Sequence, residues 1–481
     1  MRFKVYFFLL ALLFGEAHGS QLDLLIQKVI QEIDPHAHIG IEVQTWDGRT
    51  IFSLNRQHPY LSASTQKILP AALALAVSKD ASLLQGFNAS FAERPFTTEL
   101  YYDPQENVSY LVFGGDPLLT TEGLSDFLLQ GSQKGFLGSI LYVVTHHSPY
   151  GLLLPAHSPG MPFEGTDFCY GGVLSSAIIN QNQIRFRLKG NKNGKSAELL
   201  WSEAHPFEIQ NQSYIRKQCF LNKEVGQWEQ VSRGALQFDG KNLHIHGCVP
   251  EEYEATMCLP IKSEDLELYL RTMLQHMLSQ HHLSIPMLFQ KTFTPNPRLQ
   301  KISFSSKDLK TLLTLALKDS DNLVADALFA RLTYRETWPR NWFFAGKALK
   351  EDLERVFNVK FHESDIIESG SGFSLYNYLT PQTLVRLLRA VYHQFGEEFV
   401  FLLPQGGVDG TLKARFCDLP YGKVYAKTGS HRNISALAGY AYGKEKKPYI
   451  FSIFVMGGEV KKKEHRRLID TIVSLVIQNM P

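Results

Sequence analysis

Three short motifs stand in fixed order along this chain, and the first two are far apart. They are Ser64-Thr65-Gln66-Lys67, then Ser320-Asp321-Asn322, then Lys427-Thr428-Gly429-Ser430. Short patterns of common residues recur by chance, but three in this order, each in the local context that serine acyl transfer needs, do not. The 256-residue separation of Ser64 and Ser320 therefore constrains the fold. A chemistry that uses all three motifs requires one domain built from both ends of the chain, with the middle set aside as an insertion. At 481 residues the chain also exceeds the roughly 250–300 residues that one hydrophobic core normally serves, so at least two domains are expected.

Hydrophobic content of 44% and charged content of 20% are those of an ordinary folded protein. A formal net charge of +2 gives no reason to expect nucleic acid as a partner. The N-terminus reads as a cleaved export signal over residues 1–19: Arg2 and Lys4, the apolar run Val5–Phe14, then Ala17-His18-Gly19. That run is about half the roughly 20 residues that span a bilayer, so no transmembrane anchor is expected and the mature protein is placed in a periplasm. Five cysteines, Cys169, Cys219, Cys248, Cys258 and Cys417, leave at least one unpaired. Four of them fall within 169–258, where any disulfide would act; the sequence does not choose the pairing.

Residues 38–54 read as a hairpin turning at Asp47-Gly48. Ile68–Val77 has helical length and composition, with Pro70 tolerated in its first turns. From 85 to 290 short β-type runs alternate with Gly, Asn and Pro turns. Helical patterns cover Glu264–Leu278, Ser306–Tyr334, the stretch from Thr380-Pro381 through Val391, and about Glu464–Asn479. Asn433–Tyr442 and Pro448–Met456 read as buried strands.

The motifs carry a specific chemistry. A serine at a helix start lies near the positive end of the macrodipole, and a residue three further on returns to the same face. Lys67, if neutral, could take the Ser64 proton and make Ser64 a nucleophile; a capping serine beside a solvated lysine satisfies the same four letters. Ser320-Asp321-Asn322 interrupts an apolar helical pattern, and burying such polar groups costs roughly 1–3 kcal/mol each unless they find partners. Ser320 could relay a proton and Asn322 could hold Lys67 and the substrate backbone; a wet helix junction is the structural alternative. Lys427 and Thr428 can bind a carboxylate, Gly429 admits a close backbone, and the Ser430 and Ser64 N–H groups could form an oxyanion hole.

With these motifs on the page, the chain resembles the class C low-molecular-mass penicillin-binding proteins, the D-alanyl-D-alanine carboxypeptidase/endopeptidase family. Further matching stretches are Phe113-Gly114-Gly115-Asp116-Pro117, Ser320 through Asp326, Gly370-Ser371-Gly372-Phe373-Ser374 and Gly407-Val408-Asp409-Gly410-Thr411-Leu412. The resemblance implies an α+β fold: a penicillin-binding/β-lactamase-like transpeptidase domain, with an antiparallel sheet flanked by helices and a helical subdomain, plus a large β-rich insertion. The catalytic domain would comprise 20–84 and 291–481, and the insertion 85–290, read as two small subdomains. It further implies an acyl-enzyme on Ser64 with peptidoglycan stem peptides, acylation by β-lactam antibiotics, proton management by Lys67 and Ser320, substrate positioning by Asn322, Lys427 and Thr428, and no cofactor or metal. Three positions depart from the family. Leu375 stands where an arginine is common, and His431 and Arg432 follow the third motif where uncharged residues are common. Preference for the diamino acid of the stem peptide would be altered there, with Arg432 partly offsetting the charge missing at Leu375.

Rival readings are a β-lactamase or esterase on the same domain, against which the insertion argues, and a silent binding module, against which the intact set Ser64, Lys67, Ser320, Asn322 and Lys427 argues. His244, His246 and Cys248 alternate as zinc ligands do, without an evident fourth. Lys461–Lys463 with Arg466 and Arg467 form a basic cluster suited to peripheral contact with an anionic envelope surface, or simply a solvated helix start.

Overall fold

The computed structural model describes residues 20–479 except 85–86, 88, 146–153, 163–167, 193–194, 202–204, 220, 223–226, 229–235, 336, 420–422, 432, 445 and 459. The export signal over 1–19 and the position of Arg432 lie outside the described residues. The chain is α+β and forms two compact units.

The first unit comprises Met1–Thr65, Phe357–Ile366 and Tyr378–Pro481. Its centre is a five-stranded antiparallel sheet in the order Lys423–His431, Ile434–Tyr442, Pro448–Gly457, Ala37–Thr45, Thr50–Leu54. The two ends of the chain are thus adjacent strands, with Ile41 opposite Ile453. Ile434–Ala441 is buried at every position because both faces of the sheet are covered. Leu437 and Ala441 join the core formed with the helices Ser20–Ile33 and Lys462–Asn479. Tyr440 points the other way, and its hydroxyl donates to Leu388 O in helix Pro381–Phe395 at 2.8 Å. A strand buried on both faces loses the polar alternation of a half-exposed one, which explains its continuous apolar run. His465 Nε2 lies 2.9 Å from Asp34 Oδ2, both buried, and joins the last helix to the turn that follows the first.

The second unit comprises Gln66–Val356 and Ile367–Asn377. It holds a mixed five-stranded sheet ordered Met287–Gln290, Ile140–Val144, Val108–Val112, Thr98–Asp103, Gln300–Phe304. Two three-stranded sheets are built around Asn242–Pro250 and Gln183–Lys189. One continuous apolar core runs under them and helices Thr121–Gln133 and Leu266–Gln280. Helices Ile68–Lys79, Leu309–Leu317 and Asn322–Leu332 pack on one another in the same unit. Ile68–Val77 is buried all round, so it shows no polar face.

Three readings are sharpened. The Ser306–Tyr334 pattern is two helices, not one: Leu309–Leu317 ends, Ser320 adopts φ 60°, and Asp321 caps Asn322–Leu332 by accepting from Val324 N at 3.0 Å. Polar side chains that bond their own backbone compete with the helix, and here they win. The disulfides are Cys169–Cys258 and Cys219–Cys248, with Cys417 free and exposed. Cys248 is therefore committed to sulfur, which removes it as a thiolate ligand beside His244 and His246. Asp116 of the Phe113–Pro117 stretch is buried and accepts from Ser306 N at 3.0 Å and from Ser306 Oγ at 2.7 Å, an anchoring role. Among the described residues no helix is long and apolar enough to cross a membrane.

Leu437 is fully buried in the central part of the first unit's sheet. Leu437→Ala is expected to destabilise that unit by about 2–5 kcal/mol, the usual cost of an unfilled core cavity, read as a lower midpoint in urea unfolding.

Candidate active site

The first motif sits in a 3-10 turn, Ala63–Lys67, that leads directly into helix Ile68–Lys79. In a 3-10 helix, side chains three apart eclipse each other, so Ser64 and Lys67 share a face more closely than α-helical geometry would give. Ser64 is half-buried, and Lys67 is fully buried. Ala63, immediately before the serine, adopts φ 43°, an uncommon conformation for a residue with a side chain.

Within the first unit, the segment that carries Ser64 lies against the third motif. Lys427, Thr428, Gly429 and Ser430 run along the strand Lys423–His431. A Cβ on Gly429 would stand 3.1 Å from Ser62 O and 3.3 Å from Ala63 Cβ, tighter than ordinary contact, so the glycine lets the two segments sit close without displacing either. Lys427 is fully buried and its Nζ donates to Thr428 O at 3.0 Å. The Thr428 hydroxyl donates to Thr411 Oγ1 at 2.9 Å, which brings in the Gly407–Leu412 stretch. Ser430 is exposed.

Within the second unit, Lys67 Nζ donates to Asn322 Oδ1 at 2.6 Å and to Ser371 O at 2.8 Å. Burial lowers its pKa from the usual lysine range to about 7, with the carboxylates of Asp326 and Asp321 acting in the opposite sense. The Asn322 amide is oriented at both ends, because its Nδ2 donates to Tyr170 O at 2.7 Å. Asp321 Oδ2 accepts from Gln181 Nε2 at 2.6 Å. Ser320 is half-buried and holds a left-handed conformation of the kind retained where surrounding structure over-determines it. Leu375 is half-buried, and its N–H donates to Gly160 O at 2.8 Å.

Three groups around Lys67 and Asn322 carry no role in the sequence reading, although Ser371 and Asp326 fall in its matched stretches. Ser371 enters through its carbonyl, which no side-chain pattern reveals. Asp326 stands four residues after Asn322 and so on the same helical face, a spacing that was available as a signal. Tyr170 had none. It is brought to Asn322 by tertiary structure, with its neighbour Cys169 bonded to Cys258 and its ring edge-on to Phe373 at 5.2 Å.

The sequence and the fold match a known group of proteins. The sequence profile of the D-Ala-D-Ala carboxypeptidase 3 (S13) family matches residues 22–478. The chain is 24% identical over 458 residues to D-alanyl-D-alanine carboxypeptidase DacB of Haemophilus influenzae, covering 92% of this chain and 90% of that protein. It is 26% identical over 180 residues to penicillin-sensitive carboxypeptidase A of Dictyostelium discoideum, covering 36% of this chain and 34% of that one. The crystal structure of penicillin binding protein 4 (dacB) from Haemophilus influenzae shares the fold, with a TM-score of 0.72 at 21% identity over 94% of this chain and 98% of that one. The same protein complexed with a novel β-lactam gives a TM-score of 0.67.

The Cys169–Cys258 bridge tethers the loop whose carbonyl orients Asn322. The double variant Cys169→Ser/Cys258→Ser is expected to slow acylation by a fluorescent penicillin about tenfold, the equivalent of one lost positioning contact of about 1.4 kcal/mol. Stopped-flow measurement checks this, and an unchanged rate would show that the tether is dispensable. On its sequence, its fold and its three motifs together, the chain belongs to the D-Ala-D-Ala carboxypeptidase 3 (S13) family and is a serine DD-peptidase.

Proposed function

We propose that this DD-peptidase cleaves peptidoglycan stem peptides beside D-alanine through an ester on Ser64, outside the cytoplasm. Ser64 Oγ attacks the carbonyl carbon of the penultimate D-alanine while Lys67 Nζ takes its proton. The C–N bond then breaks, and the departing amine receives a proton by way of Ser320. Water attacks the ester, regenerates Ser64 and releases the shortened peptide. Lys427 and Thr428 hold the substrate carboxylate, Asn322 holds its backbone, and the N–H groups of Ser64 and Ser430 receive the oxyanion.

The observation that carries this reading is the setting of Lys67. A neutral amine has two N–H bonds and one lone pair, and Asn322 Oδ1 and Ser371 O supply acceptors for the two N–H bonds. The lone pair is then the group that accepts the Ser64 proton, and burial keeps a useful fraction of the amine neutral near pH 7. Functionally, residues 20–84 and 291–481 form the catalytic domain. The 85–290 insertion serves it by presenting the Tyr170 carbonyl to Asn322. Two disulfides support an oxidising compartment, in keeping with the export signal over 1–19 and a periplasmic address. β-Lactams would acylate the same serine.

Leu375 and Arg432 are proposed to shape recognition of the stem peptide's diamino acid. Leu375 lies in the segment held to Gly160 of the insertion, beside the exposed Tyr376, so an apolar side chain there would weaken preference for a carboxylated diamino acid. In Leu375→Arg the ranking of stem-peptide variants is expected to shift toward the carboxylated diamino acid; an identical ranking would remove Leu375 from the recognition site.

Mass spectrometry of stem peptide and of cross-linked dimer after incubation tests the main reading and separates carboxypeptidase from endopeptidase action. Ser64→Ala is expected to abolish both cleavages, and cleavage persisting in that variant would overturn the mechanism. The rate of acylation should rise with pH through about 7, because the active form of Lys67 is the neutral one and its pKa is lowered to that region. A rate already flat from pH 5 upward would exclude Lys67 as the base.

A further inference from the structure

The Lys67 amine is held by a helix face and by a loop, and one carboxylate on that face holds the loop. Asn322 and Asp326 lie four residues apart on helix Asn322–Leu332, hence on one face. Asn322 meets Lys67 directly, at 2.6 Å. Asp326 acts through the loop: its Oδ1 accepts from Ser371 N at 2.7 Å, and it also accepts from the Gly370 backbone. The carbonyl of that same Ser371 receives the Lys67 N–H at 2.8 Å. The loop has no slack. A Cβ on Gly370 would stand 2.4 Å from Phe329 Cβ and 2.6 Å from Ala325 O, both on the Asp326 helix. Its other side is fixed by Asn377 Oδ1, which accepts from Glu368 N at 2.8 Å and Ser369 N at 3.0 Å.

We propose that Asp326 is a positioning residue for the acylation step, holding the Gly370-Ser371 backbone under Lys67 and setting, by its charge, the pH at which the amine becomes a base. This rests on Lys67 being that base. The charged groups acting on Lys67 are Asp326 and Asp321. Asp321 is engaged by Gln181 and by its cap to Val324 N. Glu368, on the same loop, accepts instead from Gly160 N and Ser374 Oγ. Asp326 keeps some surface as a residue, but its carboxyl is crowded by protein, so burial raises its pKa while its backbone donors and Lys67 oppose the rise. Carboxyl and amine lie close enough to titrate together, and the acid limb of the rate profile belongs to the pair. An anion there stabilises the ammonium and so makes the amine a stronger base, releasing it at a higher pH than burial alone would.

The test is the pH dependence of acylation by a fluorescent penicillin, from pH 5 to 9, for the full chain and its variants. Asp326→Asn keeps an oxygen for Ser371 N and removes the charge. Its acid limb is expected to move down by about one pH unit or more, with a lower plateau, since an opposite charge close by is worth about that much. Asp326→Glu keeps the charge, and its limb should stay in place. A limb that does not move in Asp326→Asn while the plateau falls would reduce Asp326 to a structural prop and overturn the proposal. Asp326→Ser offers a second neutral variant if the asparagine protein does not fold. Lys67→Met separates the two ideas: loss of acylation there with an immobile limb in Asp326→Asn refutes the role of Asp326 alone, whereas full acylation in Lys67→Met takes both readings down.

Discussion

The burial of one amine organises this protein. Lys67 is fully enclosed, and an ammonium in that position without compensation would be strongly disfavoured. Compensation comes from a side-chain amide, a backbone carbonyl and two carboxylates at a distance, contributed by the turn before helix Asn322–Leu332, that helix and the Gly370–Gly372 loop. Each has to arrive at its place for the others to be useful. The helix break at Ser320, the cap at Asp321 and the tight seat of Gly370 on Phe329 all serve that arrangement. The cost in backbone strain at Ser320 is of the order of 1–3 kcal/mol and is met by the surrounding packing.

A second constraint operates in the sheet unit, where the close approach of the Lys427–Ser430 strand to Ser62 and Ala63 favours a glycine at 429. Ser64 and Lys67 stand three residues apart in the 3-10 turn Ala63–Lys67, and that eclipsed spacing is a local device that needs no third element to align them. The large middle region contributes more than bulk. Through Tyr170 and Gln181 it reaches Asn322 and Asp321, one by a carbonyl and one by an amide. The insertion is thus wired to the second motif itself.

Much of this was legible in the residues. The hairpin at 37–54, the two long C-terminal strands and the terminal helix follow from apolar periodicity and from Asp47-Gly48. Ser64, Lys67, Asn322 and Lys427 stand out as candidates by spacing and type. The helical pattern over Ser306–Tyr334 left a junction at Ser320-Asp321-Asn322 open, because periodicity sees the apolar positions on both sides of the break but not the competition of Ser320 and Asp321 for the backbone. The alternation of His244, His246 and Cys248 belongs to a strand, and that pattern places side chains on one side but says nothing of the distant Cys219 to which Cys248 is bonded.

By itself, the sequence determined which residues are candidates for the proposed chemistry, since a nucleophile, a base and a carboxylate ligand are properties of residue type and local spacing. It also determined that the two ends of the chain must meet, because the motifs require it. Only the tertiary structure decided how the base is tuned. Desolvation, the Ser371 carbonyl, the Asp326 carboxylate and the Tyr170 carbonyl all depend on contacts between segments far apart in the chain, and two of the four are backbone groups that every residue carries. A backbone oxygen has no signature in a sequence; its position is a consequence of packing.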